Sequence, residues 1–369
     1  MTRVMISGGG TGGHVFPAIA IANALKKKDS HIDILFIGAI GKLEMEKVPA
    51  AGYPIEGLWI SGIQRSLTLK NFMFPVKLIA SMIKARKIIR RFKPDLVIGV
   101  GGYASGPILR IAALKKIPTL IQEQNSYPGI TNKILAGKVR KICVAYGGME
   151  RFFPAEKIIL TGNPIRQDIL NVSEKRDEAI RFFRLSESVT TLLVIGGSLG
   201  ARTINRSMRR CVEMGITGKG IQMIWQTGRF YFEEMNNDPK ISSDPFIHIY
   251  PFIERMDLAY AAADLIVSRA GAIAVSELCT IAKPVILVPS PNVAEDHQTK
   301  NARALVIKDA AILVPDAEAE DKLFDCILNI EKKSELRDTL SGNIARLAIR
   351  DAADRIADEG LKLVQPSKS

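Results

Sequence analysis

The chain has 369 residues, 47% of them hydrophobic and 24% charged, which excludes a disordered or fibrous polypeptide and leaves room for two domains. Its net charge of +13 is unevenly spread: residues 1–165 hold 24 Lys and Arg against 9 Asp and Glu, a net of +15, whereas the remainder nets −2. A basic first half suits an anionic partner, whether a phosphorylated substrate, an acidic membrane surface or nucleic acid. Four dispersed cysteines without a CxxC pair, and four scattered histidines, speak against zinc and for a reducing compartment.

In chain order, Arg3–Ser7 is an apolar run ending at glycines and reads as a buried strand, not as the start of a signal peptide. A helix is expected over Phe16–Lys28 and a strand over Ile32–Ile37. The stretch Leu67–Phe92 mixes Phe72, Met73, Phe74, Leu78, Ile79, Met82 and Ile83 with Lys84, Arg86, Lys87, Arg90 and Arg91. It suits either an interfacial helix on anionic lipid or an amphipathic helix packed on a sheet with a solvated basic face. No apolar run approaches the roughly 18 residues of a spanning helix.

Strands are expected at Asp95–Val100, Thr119–Gln122, Lys141–Ala145 and Ile158–Leu160, the last running into the turn cluster Thr161-Gly162-Asn163-Pro164. That cluster places a domain boundary between 1–163 and 164–349. A second series begins at Thr191–Ile195 and continues through Ile221–Trp225, Phe246–Tyr250, Asp264–Val267, Pro284–Val288 and Ala311–Val314. From Glu318 onward the pattern is helical only. Strands alternating with helices predict an α/β chain with doubly wound parallel sheets, whose ligands bind beyond the carboxyl ends of the strands.

Three glycine loops lie at such ends. In Gly8-Gly9-Gly10-Thr11-Gly12-Gly13-His14, small residues let N–H groups approach an anion and the following helix adds its dipole. The spacing formally matches the dinucleotide fingerprint, but the second strand ends Phe36-Ile37-Gly38-Ala39-Ile40 without the acid that holds a ribose. His14 stands at a helix start, which favours the neutral imidazole. It either accepts a proton from an alcohol or merely caps the helix. The second loop, Gly196 to Arg202, carries Ser198 as a phosphate donor or is a tight turn. The third runs from Gly99 to Pro107.

Gln122-Glu123-Gln124-Asn125 suits sugar hydroxyls, or its last residue caps a helix. Ser268 to Glu277 opens a helix with small residues that leave its N–H groups accessible to phosphate. Glu277 either serves the helix dipole or accepts from ribose hydroxyls. No Asp-x-Asp occurs, so no metal–diphosphate bridge and no cofactor is expected.

The segments GGGTGGHVFPA, GVGGYASGP, QEQN, TGNPIR, GGSLGAR and SRAGAIAVSE stand in the order and spacing of the MurG family, the peptidoglycan N-acetylglucosaminyltransferases, which the chain resembles over nearly its whole length. The resemblance implies the GT-B fold, two Rossmann-like doubly wound parallel-sheet domains facing across a cleft. It implies transfer of GlcNAc from UDP-GlcNAc to the MurNAc C4 hydroxyl of lipid I, with inversion, giving β1,4-linked lipid II at the cytoplasmic face of the inner membrane. The basic first domain would take the lipid-linked acceptor and touch the anionic membrane, with Leu67 to Phe92 as the contact. A C-terminal helix at about 350–369 would pack back on it. The second domain would hold the donor.

Carried over by motif, Thr11, Gly12 and Gly13 would lie beside the sugar and acceptor, with His14 as general base. Asn125 would contact the donor sugar, and Arg166 and Ser198 the diphosphate. Ile253 would read uracil with its backbone. Ala272, Ile273, Ala274 and Val275 would present N–H groups to phosphate, with Ser276 following. Glu277 would hold the ribose and Gln298 the sugar hydroxyls. Two departures stand out: Ala274 replaces a frequent Thr, and Thr299 replaces the second Gln of a Gln-Gln pair.

Other readings explain less. A nicotinamide oxidoreductase lacks its ribose-binding acid, and a nucleic-acid binder lacks interleaved aromatics, which are only 6% of the chain. Another GT-B UDP-sugar transferase or a UDP-GlcNAc epimerase is the nearest alternative.

Overall fold

The computed structural model describes residues 1–62, 73–197 and 199–364. The chain divides into two units, Met1–Ile165 with Arg350–Ser369, and Arg166–Ile349.

In the first unit, β1 (Arg3–Ser7), β2 (Asp33–Ala39), β3 (Ile55–Leu58), β4 (Leu96–Gly99), β5 (Thr119–Glu123), β6 (Lys141–Val144) and β7 (Ile158–Leu160) form one sheet in the order β3-β2-β1-β4-β5-β6-β7. Every pairing is parallel. The two-residue pleat sends Val4 and Ile6 to one face and Met5 to the other. Both faces are covered, which is why the strand is apolar without alternation. On one side Val4 and Ile6 meet Ile21 and Leu25 of the helix Gly12–Lys28 and Ile356 and Ala357 of the helix Ala352–Lys362. On the other, Met5 joins Ala85 and Ile88 of the helix Phe74–Phe92 and Ile108 and Leu109 of the helix Ser105–Leu114. The C-terminal helix lies so close to β4 that a Cβ on Gly360 would stand 2.9 Å from Leu96 Cδ2.

In the second unit, β8 (Thr190–Ile195), β9 (Ile221–Gln226), β10 (Ile247–Tyr250), β11 (Leu265–Ser268), β12 (Val285–Leu287) and β13 (Ile312–Leu313) follow the order β10-β9-β8-β11-β12-β13, again parallel throughout. Leu192, Val194 and Trp225 pack against Ile204 and Met208 of the helix Arg202–Glu213 and Leu323 and Ile327 of the helix Ala319–Lys332. The Trp225 indole N–H donates to Asn205 Oδ1 at 3.0 Å, so burying the ring strands no donor.

Two expectations need correcting. The first helix begins at Gly12, not Phe16, so Gly12, Gly13 and His14 form its first turn. The strand β3, four residues interrupted by Gly57, has no alternation or β-branched run and was not expected. In each unit the strand order reverses beside the first strand, at β1/β4 and at β8/β11. Those are the switch points where doubly wound sheets bind ligands.

Candidate functional site

At the end of β1 the chain enters the first glycine loop. Thr11 is the N-cap of the helix Gly12–Lys28, and its Oγ1 lies 3.2 Å from His14 Nδ1. The His14 and Val15 N–H groups both donate to Thr11 O, which leaves those of Gly12 and Gly13 as the unbonded first-turn donors expected of a helix start. The half-buried His14 ring lies on the third loop: a Cβ on Gly101 would stand 2.8 Å from His14 Nε2. A Cβ on Gly102 would stand 2.4 Å from Gly9 O, so these glycines serve close packing of loop on loop as much as anion access. The buried Ser105 hydroxyl lies 2.8 Å from Ser7 O and 2.7 Å from Gly101 O, tying the two loops at their roots.

The first loop also holds a residue that the sequence reading missed. Glu44 is 1% exposed, and its carboxylate accepts from the Gly10 and Ala39 N–H groups, both at 2.8 Å. Glu46, two residues on, is exposed, and nothing local distinguishes the two.

The amide cluster after β5 is mostly consumed within the protein. Gln122 donates to Asn163 Oδ1 at 2.9 Å, Asn163 to Gln124 O at 3.0 Å, and Gln124 to Val100 O at 2.8 Å. All three are buried, so the expectation of sugar contacts narrows to the half-buried Asn125. The motif assigns no role to Glu123. Its Oε1 accepts from Asn125 N at 3.0 Å and Nδ2 at 3.3 Å, and its Oε2 from Asn132 Nδ2 at 2.9 Å. Burial pushes this carboxyl up, against the pull of those donors.

In the second unit, Ser198 lies outside the described residues. Around it, Gly197 O accepts from Gly200 N and from Gln226 Nε2, at 3.0 and 2.9 Å. The other end of the Gln226 amide accepts from the Ile253 N–H at 2.9 Å. The Ile253 N–H is thus committed to a side chain, and the expectation that the Ile253 backbone reads uracil narrows to its carbonyl. Gln226, buried at the end of β9, lies one residue beyond the strand expected over Ile221–Trp225 and has no expected role.

The helix Ala272–Ile281 starts after Gly271, whose extended backbone (φ −64°, ψ 144°) turns the chain into it. Its first turn carries no acidic residue. The expected phosphate donors need one correction: the Val275 N–H bonds Gly271 O at 2.9 Å, the first i→i−4 contact, so only Ala272, Ile273 and Ala274 are placed as end donors. The Ser276 hydroxyl turns back to Ala272 O at 3.1 Å.

Glu277 is 5% exposed and bonded on both oxygens, to Arg166 Nε at 2.9 Å and Tyr260 OH at 3.0 Å. Arg166, expected on a diphosphate, instead pairs with the residue expected on the ribose. Burial pushes the Glu277 carboxyl up, with Arg166 and Tyr260 pulling it back, and burial with the nearby carboxylate lifts the Tyr260 phenol. Each Glu277 oxygen has a second lone pair to offer a hydroxyl. Gln298, in the helix His297–Val306, accepts from Ser290 N at 2.9 Å. Thr299 Oγ1 donates to Asp296 Oδ1 at 2.6 Å.

On the helix Phe74–Phe92, Val76, Ile79 and Ile83 are exposed by 50–60% at i, i+3, i+7 spacing, continuing from exposed Met73. Phe74, Leu78 and Met82 are half-buried, whereas Leu67 to Phe72 lie outside the described residues. Lys84 folds back to Gly57 O at 2.6 Å and Arg91 pairs with Glu56, while Arg86, Lys87 and Arg90 are exposed. Among the described residues, no helix is long and apolar enough to cross a membrane and no group of His, Cys, Asp or Glu is placed to hold a metal ion.

The chain matches the glycosyltransferase family 28 N-terminal domain over residues 4–144 and the glycosyltransferase family 28 C-terminal domain over 191–356. It is 56% identical to the UDP-N-acetylglucosamine--N-acetylmuramyl-(pentapeptide) pyrophosphoryl-undecaprenol N-acetylglucosamine transferase of Parabacteroides distasonis, over 98% of either chain. It is 52% identical to the Flavobacterium psychrophilum protein of that name, over 100% of this chain and 99% of the other. Among solved structures it is similar to Acinetobacter baumannii MurG (TM-score 0.78, 28% identity, 98% of this chain and 100% of that one). A Neisseria meningitidis UDP-GlcNAc 2-epimerase shares the fold alone, at TM-score 0.70 and 16% identity over 98% of this chain and 100% of that one.

Proposed function

The chain belongs to the MurG family within glycosyltransferase family 28, and from that premise we propose how its residues divide the work. Its fold is GT-B and its activity is transfer of GlcNAc from UDP-GlcNAc to lipid I in peptidoglycan synthesis, making lipid II. The observation that carries the activity is near-full-length identity above half to transferases of that name.

In our reading the first unit takes the acceptor and the second the donor. Glu277, steadied by Arg166 and Tyr260, accepts from the ribose hydroxyls. The Ile253 carbonyl accepts from the uracil N–H, and the N–H groups of Ala272, Ile273 and Ala274 meet the diphosphate with the positive end of their helix. Ser198 adds a hydroxyl there, and Asn125 and Gln298 hold the sugar.

His14 is the base. With Nδ1–H donating to Thr11 Oγ1, Nε2 takes the proton of the MurNAc C4 hydroxyl as that oxygen bonds to the anomeric carbon. The bond from that carbon to the UDP oxygen breaks on the opposite face, so configuration inverts. The electron pair leaves on the diphosphate, where the helix donors meet the growing charge. No metal takes part in this scheme. The protein works from the cytoplasmic face as a peripheral membrane protein. The support is the exposed line Met73, Val76, Ile79 and Ile83 beside Arg86, Lys87 and Arg90, and the net of +15 over residues 1–165. Nucleic acid is not its partner.

Labelled UDP-GlcNAc with a lipid I analogue in EDTA tests the reaction: label reaching the lipid supports it. No transfer with UDP-GlcNAc still bound would redirect attention to other acceptors or to epimerisation.

A further inference from the structure

We infer that Glu44 is a positioning residue for the reaction, an internal anion that shapes the first glycine loop and so holds His14 where it acts. The inference rests on His14 being the base.

A GxGxxG loop between a strand and a helix ordinarily turns its N–H groups toward a bound phosphate. Here the Gly10 N–H meets a carboxylate of the protein itself, Glu44 Oε2, at 2.8 Å. The other oxygen takes the Ala39 N–H at the end of β2, also at 2.8 Å, so one side chain ties the loop after β1 to the end of the neighbouring strand. The loop is built around that carboxylate. A Cβ on Gly9 would stand 2.1 Å from Glu44 Oε1, and one on Gly38 would stand 2.4 Å from Glu44 Cγ. Glu44 opens the helix Glu44–Ala50, whose dipole favours a negative charge at that end.

From Gly10, with φ +91°, the chain passes directly into Thr11 and the first turn that carries His14. Fixing the Gly10 N–H therefore fixes the approach to Thr11, whose Oγ1 sits on His14 Nδ1 and whose carbonyl accepts the His14 N–H. The role requires an acceptor on both oxygens. A glutamine of the same size keeps one acceptor and turns an NH₂ group toward the other N–H.

Glu44→Gln is expected to lower kcat by about 10²-fold, the loss that a misplacement of about 1 Å can cause. Its KM for UDP-GlcNAc and its Kd for UDP should stay within about two-fold, the scale of a fraction of a kcal/mol. Glu44→Ala should show the same split and regain turnover, saturably, on addition of acetate but not chloride. His14→Ala and the double variant complete the test: if Glu44 acts through His14, the double variant turns over no more slowly than His14→Ala alone. Wild-type-like turnover by Glu44→Gln, or an equal loss of UDP affinity, overturns the inference. A fully additive double variant does the same. Should His14→Ala itself turn over normally, the base assignment fails first, and is recognised by that variant alone. If Glu44→Ala does not fold, Glu44→Gln with His14→Ala still decides.

Discussion

The glycine loop after β1 and the helix start after β11 both lie at the switch points of parallel doubly wound sheets, yet they are electrostatically different. The loop after β1 lies in the basic unit, but the protein's own Glu44 already sits on its Gly10 N–H. In the near-neutral unit, the helix after β11 opens with Ala272, Ile273 and Ala274 and has no acid in its first turn. Net charge over a domain therefore does not say where an anion binds. Local N–H groups do, and an internal carboxylate can occupy them first.

The largest expected effect separates the two regions. His14→Ala should lower kcat by about 10²–10⁴-fold, the usual scale of general base catalysis, with the Kd for UDP unchanged in calorimetry. If affinity fell alongside turnover, the division of labour between the loops would be wrong.

On the other side, Glu277→Gln should weaken UDP-GlcNAc binding by about 10-fold or more, since charge-assisted hydrogen bonds contribute about 1.5–3 kcal/mol. Its pH dependence carries a sign. Burial raises the Glu277 carboxyl above 4.5 in the folded protein, so protonation arrives early as pH falls. Wild-type affinity for UDP-GlcNAc should then drop as pH descends through that raised value, and Glu277→Gln should remove this part of the profile. An identical profile in the variant would assign the titration elsewhere.

Gln226→Ala is expected to act more mildly, raising KM for UDP-GlcNAc about 2–10-fold, because a neutral hydrogen bond contributes about 0.5–1.5 kcal/mol. It should leave kcat nearly unchanged. A drop in kcat with KM constant would place Gln226 in the chemistry and not in the shaping of the donor loop.

The smallest effect belongs to the surface. Lys87→Ala should weaken binding to vesicles containing anionic lipid by about five-fold, as each basic residue near such a surface contributes about 1 kcal/mol. Binding to neutral vesicles should not change, and equal loss on both would argue for apolar contact alone.

Much of the architecture could be read from local pattern. Arg3–Ser7 coincides with a strand as expected, because a strand buried on both faces is an apolar run closed by turn residues, and the edge strand Ile158–Leu160 coincides because its short apolar run meets the turn cluster Thr161-Gly162-Asn163-Pro164. The strand at Ile55–Leu58 escaped, since four residues with a glycine among them carry no period. The first helix starts four residues earlier than expected, because Gly12 and Gly13 have poor helix propensity and hide a first turn whose His14 lies against Gly101 of the third loop. His14, Asn125, Arg166 and Glu277 stand out by motif, but which groups pair with one another does not. Asn125 is held by Glu123, and Arg166 turns to Glu277.

By itself the sequence determined two parallel doubly wound sheets, the glycine-ended strands that open them and the family whose reaction they serve. Those signals are local: hydrophobic runs, turn residues and motifs a few positions long. Only the tertiary structure decided that Glu44 meets Gly10 across 34 positions, Gln226 meets Ile253 across 27 and Arg166 meets Glu277 across 111. A carboxylate or amide looks the same in sequence whether it faces water or a buried N–H. Burial removes water as its alternative partner, and so assigns it to one group.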